Sequence, residues 1–160
     1  MKAKLALIVA LVAVLALAGV GCDTGAKVTG GGWFNDSMNG VYDSATDTWS
    51  GNRVNFGFNA QVDKNGEVKG QFQLIDHDAN INLHGTFDHM DILGLWGGVC
   101  VVKGIGSVNG EDVPFELSCI DAGEPGPSAG DMVAVWVYAD SPLFYSGYLE
   151  GGNVQVHKAK

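Results

Sequence analysis

Apolar and polar residues alternate along most of this chain. In 53–62, RVNFGFNAQV, Val54, Phe56, Phe58, Ala60 and Val62 share one face, while Arg53, Asn55, Asn59 and Gln61 share the other. A period of two is the signature of a strand with one buried face. The same pattern puts Val68, Gly70, Phe72 and Leu74 inward in 67–75, and Ala79, Ile81, Leu83, Gly85 and Phe87 inward in 79–87. Segment 132–138, MVAVWVY, is apolar on both faces and reads as a covered strand. Strands are predicted near 28–35, 53–62, 67–75, 79–87, 91–96, 98–108, 111–121, 131–139, 143–149 and 153–158, with long loops at 36–52 and 121–130. The expectation is an all-β domain: one antiparallel β-sandwich or flattened β-barrel of about 8–10 strands, preceded by a signal-peptide helix, with first and last strands adjacent.

Turn chemistry also predicts one strand register. Asn109-Gly110 between alternating runs is a two-residue hairpin signal. Counting outward from it pairs Val102 with Leu117, Lys103 with Glu116 and Cys100 with Cys119: apolar meets apolar, plus meets minus, sulfur meets sulfur. A Cys100–Cys119 disulfide is therefore expected in an oxidising compartment. The pair is a hydrogen-bonded one, with Cα atoms about 5.5 Å apart, inside the bridging range.

The first segment predicts that compartment. Met1, Lys2 and Lys4 precede the apolar run 5–18, LALIVALVAVLALA, and small residues follow it. This order is that of a removed signal peptide, here 1–21. Two cleavage sites compete. Ala16-Leu17-Ala18 is an A-x-A site, and Ala18-Gly19-Val20-Gly21-Cys22 resembles a bacterial lipobox, with Gly19 where leucine is usual. The odd count of 3 cysteines favours the second, because lipidation of Cys22 removes the unpaired thiol. The expected layout is a leader 1–21, a tether 22–27 and a single domain 28–158. The protein would be exported to the cell envelope, lipid-anchored or secreted, and would meet the membrane through its N-terminal lipid.

Composition narrows the chemistry. The 160 residues carry 9 Lys plus Arg against 18 Asp plus Glu, a net charge of -9. Such a balance lacks the basic footprint of a nucleic-acid binder. There is no G-x-S-x-G, H-E-x-x-H or C-x-x-C, so no enzymatic activity is expected and no catalytic residue is assigned. His77, His84 and His89 fall close to Asp76, Asp78 and Asp88, but strand alternation gives them no reason to converge on a zinc ion. Calcium is the better metal candidate, with oxygens from Asp121, Glu124 and Asp131 in the second long loop. The first long loop offers Asp43, Asp47 and Trp49, an aromatic in polar surroundings, as the expected contacts with a protein or glycan ligand.

VTGGGWF at 28–34, the run at 55–86, GIGSVNG at 104–110, DAGEPG at 121–126 and EGGNVQVHK at 150–158 together resemble the bacterial post-COAP type of domain, which follows choice-of-anchor surface proteins. The resemblance implies an exported, surface-associated β-domain and brings no activity and no catalytic residues. The function expected is non-enzymatic: surface binding, adhesion or a structural role in the envelope. The alternative is a carrier of one small ligand, because Gly31-Gly32-Trp33 resembles the G-x-W of lipocalin-like barrels. A carrier needs an interior cavity of roughly 300 Å³ or more, and a binding module does not.

Overall fold

A computed structural model describes residues 24–38, 41–43, 48–93 and 98–157, and for 41–43 and 48–50 the backbone alone. The expected leader 1–21, the lipid site Cys22, Asp47 and Trp96 lie outside the described residues. The elements are β1 (Lys27–Asn35), β2 (Val41–Asp43), β3 (Thr48–Ser50), β4 (Arg53–Val62), β5 (Val68–Asp76), β6 (Ile81–Leu93), β7 (Val99–Val108), β8 (Glu111–Ile120), the single helical turn α1 (Gly126–Ala129), β9 (Met132–Val137) and β10 (Leu143–His157).

Eight strands form one closed barrel in the order β1-β10-β9-β8-β7-β6-β5-β4, and β2 and β3 pair only with each other. Every neighbouring pair is antiparallel. The architecture is thus a β-barrel rather than a sandwich, with β1 and β10 side by side. Antiparallel order places the chain's connections at two ends. One end carries Thr24–Ala26, the turn 63–67 and the loop 121–131; the far end carries 36–52, 77–80, 109–110 and 138–142. The two long loops therefore sit at opposite ends.

Alternation along the strands becomes inside and outside. In β4 every second residue from Val54 to Val62 is buried. In β9 Met132, Val133, Ala134, Val135 and Val137 are all buried, as the doubly apolar pattern predicted. The β7–β8 register is the one the Asn-Gly turn dictated: Cys100 faces Cys119, Val102 faces Leu117, and Lys103 faces Glu116 with Nζ and Oε2 3.3 Å apart. Asn109 and Gly110 take the positive φ values (52° and 93°) that a two-residue primed turn requires.

Four expectations need correction. The strand predicted at 79–87 and the described part, 91–93, of the one predicted at 91–96 are one strand, β6, in which Asp88 bulges between Phe87 and His89. Those at 143–149 and 153–158 are likewise one strand, β10, with Glu150 as the extra residue. A bulge inverts the in–out phase without ending the ladder, and in the sequence that inversion looks like a break. The loop 36–52 contains the β2–β3 hairpin, with Tyr42 opposite Trp49 and Asp43 opposite Thr48. The domain reaches further back than the expected start at 28, because Gly25 N–H donates to Val62 O and Val62 N–H donates to Ala26 O, so β4 already holds the chain at residue 25.

Glycines fit where strands press together. A Cβ on Gly104 would collide with the carbonyl oxygen of Thr86, part of the neighbouring β6 backbone, whereas Gly57 on the outer wall has open space around it. Gly104→Ala is expected to cost about 1–3 kcal/mol or more in urea unfolding, as overpacking does. Gly57→Ala should be neutral or slightly stabilising. Equal effects at the two sites would contradict this packing.

Candidate functional site

Aromatic rings pack against one another in the barrel interior. Phe72 and Phe115 stack with centroids 5.1 Å apart, Phe87 lies 5.5 Å from Phe115, and Phe34 lies 5.9 Å from Phe56. These rings occupy space that inward-facing glycines leave open: a Cβ on Gly30 would strike the Phe58 ring, and one on Gly85 the Phe115 ring. Large and small residues thus interdigitate across the core as close packing requires. Trp33 faces outward, under the guanidinium of Arg53 at 4.3 Å.

Cys100 and Cys119 belong to this interior. Both are buried, they sit directly opposite each other, and no disulfide joins them. The expected bridge is corrected on that point. Inside a closed apolar barrel cysteine packs as a small hydrophobe.

A buried polar cluster closes the far end. Asp76, the last residue of β5 and 2% exposed, accepts hydrogen bonds from Asn52 Nδ2 (3.1 and 3.3 Å) and from the backbone N–H groups of Asp78 and Ala79 (both 3.0 Å). Tyr145, on β10 and 3% exposed, hydrogen-bonds the same carboxylate. Asp36 Oδ1 accepts the N–H of Ser146 at 3.1 Å and that of Met38 at 3.2 Å. Burial, then the negative charges of Asp76 and Asp36 and the hydrogen bond to Asp76, push the Tyr145 phenol up to about 12. The cluster ties β1's exit, β4's entry, β5's end and β10 together, which is a structural task.

At the opposite end the three calcium candidates each engage β10. Asp131 is fully buried; its Oδ1 accepts Ala122 N–H at 2.9 Å and its Oδ2 accepts Val154 N–H at 2.8 Å. Asp121 accepts Val156 N–H at 2.8 Å and Gly123 N–H at 3.1 Å. Glu124 Oε1 accepts from Asn153 Nδ2 at 2.6 Å and from Gln155 Nε2 at 2.8 Å; Gln155 first and Asn153 second hold its carboxyl below the usual range. The cause is the unequal length of β9 and β10. The β9 ladder ends at Met132 opposite Tyr148, so β10 runs on past it with N–H groups that need acceptors. Carboxylates of the loop supply them. Among the described residues no three His, Cys, Asp or Glu side chains converge as a metal site. His89 instead contacts Asp91, Nε2 to Oδ2, at 2.9 Å.

Of the expected ligand contacts, Asp43 and Trp49 are placed only as backbone on the β2–β3 hairpin, and Asp47 lies outside the described residues. A groove of about 430 Å³ that sequence reasoning missed runs over the outer wall of β5–β8. Gln71, His84, Thr86, Ile105, Ser107 and Asp112 edge it. The strand pairings assemble it, since Gln71, Thr86 and Ile105 lie in one row across β5–β7, and His84, Ser107 and Asp112 in the next across β6–β8. No family model, curated protein or solved structure matches the chain.

Two predictions test this assignment of the carboxylates. Asp131→Asn turns an amide N–H₂ toward backbone donors and is expected to cost about 1–3 kcal/mol, measured by urea unfolding. Calcium and chelator should leave the wild-type midpoint unchanged; a calcium-dependent midpoint would make the carboxylates ligands after all. The second uses Tyr145. An unfolded tyrosine titrates near ~10, so between pH ~10 and the folded value of about 12 the native state keeps a proton that the unfolded chain releases. Stability therefore falls as pH rises through that window, by about 2–3 kcal/mol. Tyr145→Phe, compared with wild type in urea titrations at pH 9 to 12, should lose that part of the slope; identical slopes would contradict the buried phenol–carboxylate contact.

Proposed function

We propose that this chain is an exported, envelope-anchored binding module without enzymatic activity, and that it takes its ligand on the outside of the barrel. The observation that carries the reading is the filled interior. Inward phenylalanines in mutual contact, with glycines opposite them, support a packed core over a carrier's cavity. Trp33 lies on the outer wall against Arg53 rather than inside the barrel, which supports the same reading. The order of positive start, apolar run and small residues before Cys22 supports export and lipidation. The resemblance to the post-COAP type of domain points to the same surface setting.

The anchor also fits the fold. Gly25 and Ala26 are already pinned to Val62, so a lipid on Cys22 would hold this end of the barrel close to the membrane and turn the far end and the walls outward. In a bacterial host the mature protein is expected to begin at an acylated Cys22, read by mass spectrometry of the N-terminal peptide, and the purified protein to bind washed cell-wall material. A chain beginning at Gly19 with an unmodified thiol would end the anchor proposal. Stoichiometric uptake of an apolar fluorescent probe into the core would favour the carrier instead.

A further inference from the structure

We infer that the groove on the outer wall of β5–β8 is a binding site for a neutral, polyhydroxylated ligand, a segment of uncharged polysaccharide. The inference rests on the binding-module reading and gives it a site and a ligand class. It also moves the site from the loop 36–52 to a wall of the sheet.

The chemistry of the wall selects the ligand. Although the chain carries a net charge of -9, the outward positions of β4–β6 include the amides and hydroxyl of Asn55, Asn59, Gln71, Gln73, Asn82 and Thr86, of which Gln71 and Thr86 line the groove itself. Each amide is both donor and acceptor, as each sugar hydroxyl is. A surface of this kind can pair with hydroxyls in sequence. Cross-strand pairing sets the amides at regular strand spacing, with Asn59 beside Gln71 and Gln71 beside Thr86. A repeating ligand could meet such a row repeatedly.

The groove adds shape to that chemistry. Its volume of about 430 Å³ lies in the ~300–1,000 Å³ range of small-molecule sites. Ile105, 49% exposed on β7, offers an apolar flank for the C–H face of a sugar ring. His84, Ser107 and Asp112 on the adjoining row offer polar atoms for its edges. Asp112 brings the single carboxylate among the groove's side chains. An anionic polymer would meet that charge and the acidic surface as a whole, so neutral chains are favoured. Beneath lie Gly85 and Gly106, paired across β6 and β7 with no side chain of their own, so the site is built on the rigid ladder rather than on a loop.

The test is affinity electrophoresis of the mature protein in native gels containing soluble β-glucan, xylan or mannan, with alginate as the anionic control. Retardation is expected in at least one neutral polymer and not in alginate, with little change on adding salt. Gln71→Ala and His84→Ala should each weaken it by about tenfold, with unchanged thermal transitions because both residues are exposed. Tyr138→Ala is the comparison, since Tyr138 is an exposed aromatic outside the groove, next to β9, and should leave retardation intact. No retardation in any neutral polymer would overturn the groove, as would retardation that survives Gln71→Ala with His84→Ala but is lost in Tyr138→Ala. The two readings fail separately. Cell-wall binding that persists in the Gln71/His84 double variant and is lost when 42–48 is deleted would overturn the groove and keep the binding module. Absence of cell-wall binding by the wild type would overturn both.

Discussion

The sheet closes where its first and last strands meet, and the rest of the structure follows from that seam. β1 pairs with β10 from Lys27–His157 to Phe34–Leu149, and with β4 on its other side. The backbones there are held so close that only glycine fits: a Cβ on Gly32 would strike the Gly151 carbonyl oxygen, and one on Gly152, at φ 98°, that of Gly31. Closure satisfies the main-chain groups that an open sheet would leave along two edges. It also makes β10 outrun β9, and so creates the row of N–H groups that the loop 121–131 must answer.

Closure has a second consequence for function. An eight-stranded barrel has an interior just wide enough to be filled by side chains or to hold one small ligand. This chain packs phenylalanine rings into it, set over glycine positions on nearby strands. The buried polar groups at the far end, Asp36, Asp76 and Tyr145, are engaged with backbone N–H groups and with each other. The proposed binding surface is the exterior, where the outward residues of β4–β6 include the amides Asn55, Asn59, Gln71, Gln73 and Asn82.

Much of this was legible in the sequence, for reasons that lie in particular residues. Val54 to Val62 alternate so regularly that β4 could be drawn residue by residue, and Asn109-Gly110 set the β7–β8 register because a two-residue turn allows no other. Asp88 and Glu150 were not legible as bulges, since one extra residue inverts the pattern just as a turn does. The β2–β3 hairpin has strands of only three residues, too short to show a period. Asp121, Glu124 and Asp131 looked like exposed calcium ligands because the N–H groups they accept come from Asn153 to Val156, some thirty residues away along the chain for Asp121 and Glu124. The groove was invisible for a related reason. Gln71, His84, Ser107 and Asp112 come from four strands, and only the closed register sets them side by side.

Past the end of β9, carboxylates stand in for a missing strand along the free edge of β10. If Asp131 and Asp121 complete that edge, the amides of Val154 and Val156, which face no strand on that side, are protected like ladder amides. Native-state hydrogen exchange measures this directly. Val154 and Val156 are predicted to exchange as slowly as Val102 and Leu117 in the β7–β8 ladder, only through global unfolding. Exchange at these two amides orders of magnitude faster than in β7–β8 would mean that the barrel opens along β10, and would contradict the closed, filled structure on which the functional reading rests.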